Sequence, residues 1–168
     1  MVDLFLILLI LLVLIFSVWI SSVLFGAPFQ PSSNKELREI IELTKAKKKD
    51  RIADLGSGNG KIVIEFAKHG VEAHGYEINP LLVWISRRKI KNLGLQKKAF
   101  IHGGNFMNAN LSKFNIITSF QISYIMPGLE RKLKKELKPG SKVISNTWKF
   151  PDWKPRKKLG HVYLYVKN

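Results

Sequence analysis

Apolar and polar positions change rhythm several times along the chain, and each change marks an element. Residues 4–25 are uncharged and dominated by Leu, Ile, Val and Phe. As one helix they predict a span of about 33 Å, enough for a bilayer core. The segment Gly26-Ala27-Pro28-Phe29-Gln30-Pro31-Ser32-Ser33 then reads as a short stiff linker. Its two prolines favour extended backbone, with a reach of about 25 Å. Ser33 and Glu36 form a capping box, and Leu37, Ile40, Ile41 and Thr44 recur on one face, which predicts a helix ending near Lys45.

Beyond that helix, short apolar runs alternate with helical periodicity. Strands are expected over 51–55, 72–77, 98–102, 115–120, 141–146 and 161–166, and helices over 61–69, 80–93 and 126–137. Pro80 in the first turn and Gly94 past the end bracket the second of these helices. Leu129, Leu133 and Leu137 give the third its buried stripe. Strands alternating with helices predict an α/β fold, a mostly parallel sheet with helices on both faces. The expected organisation is a membrane anchor over 1–27 and one globular domain over 28–168.

Charge refines this picture. The 28 Lys and Arg all lie after the apolar run, beginning at Lys35, whereas Asp3 is the only charge before it. The positive-inside rule therefore predicts a single-pass protein with its N-terminus outside and its domain in the cytoplasm. A cleaved signal peptide is the alternative, with Ser21-Ser22 and Gly26-Ala27 as small residues for a peptidase. A net charge of +16 directs the domain toward anionic membrane surface, nucleic acid or acidic protein. Cysteine is absent, which excludes disulfides and thiolate metal sites. His69, His74, His102 and His161 lack metal-ligand spacing, so no metal is expected.

The chemistry concentrates where the first strand hands over to a helix. Asp54-Leu-Gly-Ser-Gly-Asn-Gly follows the strand, and Gly75-Tyr-Glu closes the next one. Glycine allows a tight turn against a ligand, and an acid after the second strand, here Glu77, can take both hydroxyls of a ribose. The glycines are Gly56, Gly58 and Gly60, spaced by two and led by an acid. A dinucleotide fingerprint needs Gly-x-Gly-x-x-Gly, and a P-loop ends in Gly-Lys-Ser/Thr. An acidic loop instead suits a cation, and S-adenosylmethionine carries an ammonium and a sulfonium with no phosphate.

These residues resemble the class I, seven-strand S-adenosylmethionine-dependent methyltransferases, from about Pro28 to the C-terminus. The resemblance is sharpest at Asp54-Leu-Gly-Ser-Gly-Asn-Gly-Lys-Ile-Val-Ile, at Gly75-Tyr-Glu-Ile-Asn-Pro-Leu-Leu-Val-Trp-Ile-Ser-Arg and at Leu133-Lys-Lys-Glu-Leu-Lys-Pro-Gly-Ser-Lys-Val-Ile-Ser. Within that class it is similar to membrane-anchored mitochondrial protein-lysine methyltransferases, which act on the adenine nucleotide translocase and the ATP synthase c-subunit, and to a broad-specificity archaeal protein-lysine methyltransferase. The resemblance implies a Rossmann-like class I methyltransferase sheet preceded by one N-terminal transmembrane helix. It also implies that Asp54, Gly56, Gly58 and Gly60 shape the methionine side, that Glu77 holds the ribose, and that Ile78, Asn105 and Phe106 border the adenine. Phe29 and Ser32 would fold over the cofactor, and Phe120 would stand at the end of the fourth strand. The chain departs from the family pattern at Asn59, where Asp is common, and at Phe29, where Tyr is usual, and its segment 153–161 looks shortened.

The acceptor is narrowed by what is missing. Ser119-Phe-Gln-Ile-Ser-Tyr is not the Asn/Asp-Pro-Pro-Tyr of base and glutamine-amide methylation, and no acid cluster supports a metal-dependent catechol reaction. A lysine side chain, on a membrane protein near the inner leaflet, is the expected acceptor. Gln121, Tyr124 and Asn146 are candidates to direct its amine, and Trp148, Phe150, Trp153 and Tyr124 to line its channel. Two alternatives stay open: an RNA or DNA methyltransferase using Arg87-Arg88-Lys89-Lys91, Arg131-Lys132-Lys134-Lys135 and Lys154-Arg156-Lys157-Lys158 for phosphates, and a non-catalytic membrane adaptor that keeps the fold.

Overall fold

The structure is a computed structural model that describes the backbone of residues 4–25 and 32–168, with side chains for 4–17 and 32–168. The apolar run forms helix α1, Leu4–Phe25. The expectation of a membrane-spanning helix is nonetheless corrected: among the described residues no helix is long and apolar enough to cross a membrane. The single-pass topology, the outside N-terminus, the membrane tether and the cytoplasmic placement drawn from that helix are withdrawn with it.

Among the described residues the alternating pattern folds into seven strands and four further α-helices. In order these are α2 Asn34–Thr44, β1 Arg51–Leu55, α3 Lys61–Lys68, β2 Glu72–Glu77, α4 Pro80–Asn92, β3 Ala99–Gly103, β4 Ile116–Ser119, α5 Met126–Glu136, β5 Lys142–Asn146, β6 Lys157–Leu159 and β7 Val162–Val166. The strands form one sheet in the order β3-β2-β1-β4-β5-β7-β6. All neighbours are parallel except β7, which runs antiparallel to both β5 and β6. A Rossmann-like sheet with helices on both faces is therefore what this chain builds.

Period-two alternation divides the core between the two faces. Ile52, Ile116, Ile144, Val162 and Leu164 pack with α2, α3 and α4. Ala53, Ile117, Val143, Tyr163 and Tyr165 point the other way, toward Met126, Leu129 and Leu133 of α5 and toward Leu111 and Phe114. Chain order reverses between β1 and β4, so the crevice outside the carboxyl ends of these strands is the switch point where ligands bind in open α/β sheets.

Two short pieces were not expected from the pattern, a 3-10 turn at Phe106–Asn108 and the strand β6. The latter is Lys-Lys-Leu, part of the basic cluster 154–158, and its backbone completes a hairpin with β7 through Gly160 at φ +52. The segment 153–161, which looks shortened, thus supplies the first strand and the turn of this hairpin.

Candidate active site

The loop after β1 is built by backbone geometry that only glycine holds without strain. Gly56, Gly58 and Gly60 have φ of +75, +53 and +78, in the left-handed region. The turn brings the Gly56 and Ser57 N–H groups onto Tyr76 O at 2.9 and 3.0 Å, which clamps the loop to β2. Ser86 of α4 lies under the loop, its Oγ 2.6 Å from Leu82 O and 2.9 Å from Gly58 O.

Glu77 ends β2 and is buried. Its Oε2 accepts the Gly58 N–H and its Oε1 accepts the Asn79 N–H, both at 2.8 Å. Each carboxylate oxygen keeps further acceptor capacity, which suits a pair of vicinal hydroxyls. Gly104 N–H donates to Glu77 O at 2.8 Å, so the segment carrying Asn105 and Phe106 is held beside the carboxylate. Asn105 is exposed and caps the 3-10 turn, its Oδ1 accepting the Met107 N–H at 2.9 Å, and Phe106 packs partly into the core beneath. Ile78 is 38% exposed just past the acid.

Asp54 sits on the core side of the glycine turn. It is opposite Thr118 in the β1–β4 register, and Thr118 Oγ1 donates to its Oδ1 at 2.7 Å. Burial pushes the Asp54 carboxyl up to about 7, the Thr118 hydrogen bond opposes this, and the nearby Glu77 charge adds to the rise. A cation brought to this end of β1 would favour the ionised carboxylate.

The other expected residues fall at three places. Ser32 is buried, and its carbonyl accepts Lys61 Nζ at 2.5 Å, which ties the start of the described domain to the first turn of α3. Phe29 lies outside the described residues. Phe120 is half-buried after β4, and Gln121 is buried with its Nε2 donating to Leu55 O at 2.8 Å, directly beneath Gly56. Asn146 ends β5 and is buried, while Tyr124 and Trp148 are 65% and 41% exposed. Phe150 and Trp153 pack against Tyr165 in the second core.

Sequence reasoning missed the parts played by Thr118, Ser86, Lys61 and Glu36, all of which hold site residues by tertiary contacts. It also missed that His74 joins Glu72 and His102 at 2.9 Å each on the face opposite the helices α2 to α4. Burial first, and then the charges nearby, holds His102 below the ordinary histidine range, and burial also lowers His74 against the pull of Glu72.

Gly75 is the tightest point of the assembly. A Cβ there would lie 2.5 Å from Ser57 Oγ and 2.7 Å from Ile101 Cδ1. Gly75→Ala is expected to cost about 1–3 kcal/mol through overpacking, read as a lower urea midpoint with an unchanged m-value.

The residues fit an adenosyl cofactor on structural grounds. The acceptor pair of Glu77 faces a glycine loop with no basic side chain in it, and the buried Ser119 hydroxyl at the end of β4 has no partner among the described residues. The ANTKMT methyltransferase domain matches residues 54–157, more than half of the 168-residue chain. The chain belongs to this family. What it shares with the family is the methyltransferase domain. It is 34% identical over 149 residues to a protein-lysine N-methyltransferase of Saccharolobus islandicus (strain REY15A), covering 83% of this chain and 92% of that protein. It is also 34% identical over 128 residues to the mouse ATP synthase c-subunit lysine N-methyltransferase, covering 76% of this chain and 51% of that protein. The chain thus spans about half the length of its mouse relative. Among solved structures, an RNA methyltransferase from Salinibacter ruber in complex with S-adenosyl-L-homocysteine superimposes with a TM-score of 0.79 at 27% identity, covering 82% of this chain and 93% of that one.

Proposed function

We propose that this chain is a protein-lysine N-methyltransferase whose catalytic unit is residues 28–168. The observation that carries the proposal is the likeness to the Saccharolobus islandicus protein-lysine N-methyltransferase over 92% of that protein, on a chain that places Asp54, the glycine turn and Glu77 around one crevice. When bound, S-adenosylmethionine supplies an electrophilic methyl carbon. Glu77 would take the ribose hydroxyls, Ile78, Asn105 and Phe106 would border the adenine, Asp54, Gly56, Gly58 and Gly60 would shape the methionine side, and Ser32 and Phe120 would adjoin it; the role proposed for Phe29, closing over the cofactor, falls on a residue outside the described ones.

The acceptor lysine must arrive as a neutral amine. Its ordinary pKa is about 10.4, and desolvation together with a nearby positive charge lowers it, so its proton can leave to water without a dedicated base. The cofactor would give its methyl carbon to the amine nitrogen, the carbon–sulfur bond breaking as the carbon–nitrogen bond forms. What the protein contributes is alignment and exclusion of water, assigned to Gln121, Tyr124, Asn146 and Trp148 at the ends of β4 and β5. An acceptor lysine in a membrane protein beside an anionic surface is the finer form of the proposal, supported by the +16 charge.

Nucleic-acid methylation is the competing reading, because of that charge and of what the Salinibacter ruber neighbour acts on. Incubating the full chain with methyl-labelled cofactor and total cell extract separates the two. Label recovered as methyl-lysine after acid hydrolysis, and retained after nuclease treatment, is the expected result. Label confined to the nucleic-acid fraction would overturn the proposal.

A further inference from the structure

Just past β5 the backbone takes a form that L-residues rarely adopt. Thr147 has φ +69, and Trp148 N–H donates to Asn146 O at 2.9 Å, an i to i+2 bond. Together these make a γ-turn of the strained, positive-φ kind. A β-branched residue at positive φ is an outlier, and it persists only where its surroundings over-determine it. Here they do. Thr147 N–H donates to His161 O at 2.8 Å, and Ser145 Oγ donates to Trp148 O at 2.5 Å.

The residue aimed by this turn is Asn146, which is 1% exposed. Its Nδ2 donates to Glu36 Oε1 at 2.9 Å. A carboxylate can only accept, so the amide orientation is decided: nitrogen toward Glu36, Oδ1 away from it. The other oxygen of Glu36 accepts the Ser33 N–H at 2.6 Å within the capping box of α2. Burial raises the Glu36 carboxyl, but the bonds from Asn146 and Ser33 outweigh it and keep the group below its ordinary value, hence ionised at neutral pH. Asn146 Oδ1 is left with a contact of 3.5 Å to Thr147 Oγ1, at the outer limit of a hydrogen bond. A buried carbonyl oxygen at the carboxyl edge of the sheet is thus fixed in direction and nearly unclaimed.

We propose, on the protein-lysine reading above, that Asn146 Oδ1 accepts an N–H of the incoming lysine amine and that Glu36 and Thr147 are positioning residues acting through Asn146. A neutral amine has two N–H groups and one lone pair. Giving one N–H to Oδ1 leaves the lone pair free to face the methyl carbon. A flipped amide would instead present Nδ2–H to that lone pair and occupy the electrons needed for attack. Glu36 forbids the flip, and the strained turn at Thr147 sets the angle.

Glu36→Gln tests this in the full chain. The introduced amide can keep the Ser33 bond with its oxygen only by turning its nitrogen toward Asn146, which then turns its own Oδ1 to meet it. Both bonds survive and Asn146 is flipped. The expected result is a urea midpoint only modestly lower, from the loss of the charge in two hydrogen bonds, and an unchanged KM for S-adenosylmethionine, with kcat for methyl-lysine formation in nuclease-treated extract protein down about 100-fold. Adding Asn146→Asp should restore most of the lost rate, because the new carboxylate accepts from the introduced amide with one oxygen and offers the other to the amine. Thr147→Gly should raise the urea midpoint by removing the φ penalty while lowering kcat several-fold. Wild-type kcat in Glu36→Gln, or a loss that Asn146→Asp does not rescue, would overturn the inference. Should Glu36→Gln fail to fold, wild-type kcat in Thr147→Gly overturns it instead. A wild-type chain that yields no methyl-lysine defeats the protein-lysine reading itself, and this inference with it.

Discussion

Glu77→Ala is expected to remove measurable binding of S-adenosylmethionine in titration calorimetry. The carboxylate contributes on two sides at once. Within the fold it accepts the Gly58 and Asn79 N–H groups at 2.8 Å each, and truncation leaves donors near the loop without their partner, at a cost of about 1–3 kcal/mol for each one buried. On the proposed reading it also offers charged acceptors to two ribose hydroxyls, worth about 1.5–3 kcal/mol per bond. Losing both ligand bonds therefore weakens binding by about 3–6 kcal/mol, or roughly 10²- to 10⁴-fold, before any loosening of the glycine loop is counted. Glu77→Gln should fall between, because an amide keeps one acceptor and turns a donor toward the other hydroxyl. Affinity equal to wild type in a folded Glu77→Ala chain would place the ribose elsewhere.

The part of this site that was legible in the sequence is the part built from local geometry. β1 and β2 occupy the bounds read from their apolar runs, and the glycines and Glu77 lie within one strand-turn-helix-strand unit whose spacing is itself the signal. Contacts made across the sheet leave no such trace. Thr118 finds Asp54 only because β4 lies beside β1, and Asn146 meets Glu36 across 110 positions of sequence. Hydrophobicity likewise does not say what a side chain faces. Phe150 and Trp153 qualified as channel walls by being aromatic, whereas the fold packs both against Tyr165. The apolar run of α1 was rightly read as helix, but a bilayer span is a claim about length and apolarity together, and the described residues do not carry it.

Asp54→Asn is expected to change both the stability and the cofactor affinity as functions of pH, in opposite senses. The buried Asp54 carboxyl sits near 7, against its ordinary value of 3.8. Between those values the folded chain holds a proton that the unfolded chain has released, so this group's contribution is fully present below about 4 and is lost as pH rises through about 7. Cofactor-free wild-type protein should therefore lose stability from pH 6 to pH 8 relative to Asp54→Asn. His74 and His102, both depressed by burial, act the other way, since their contribution is present above about 6.5 and is lost on acidification; comparison with the variant subtracts them. A cationic ligand reverses the sign for Asp54, because it binds the ionised form. Wild-type affinity for S-adenosylmethionine should rise as pH passes through about 7 and then level off, with up to one proton released on binding and a calorimetric heat that changes with the ionisation enthalpy of the buffer. Asp54→Asn has no proton to release, so its affinity should be flat across that range and below wild type at pH 8. Parallel pH profiles for the two chains would show that Asp54 does not sense the charge of the ligand and only braces β1 against Thr118.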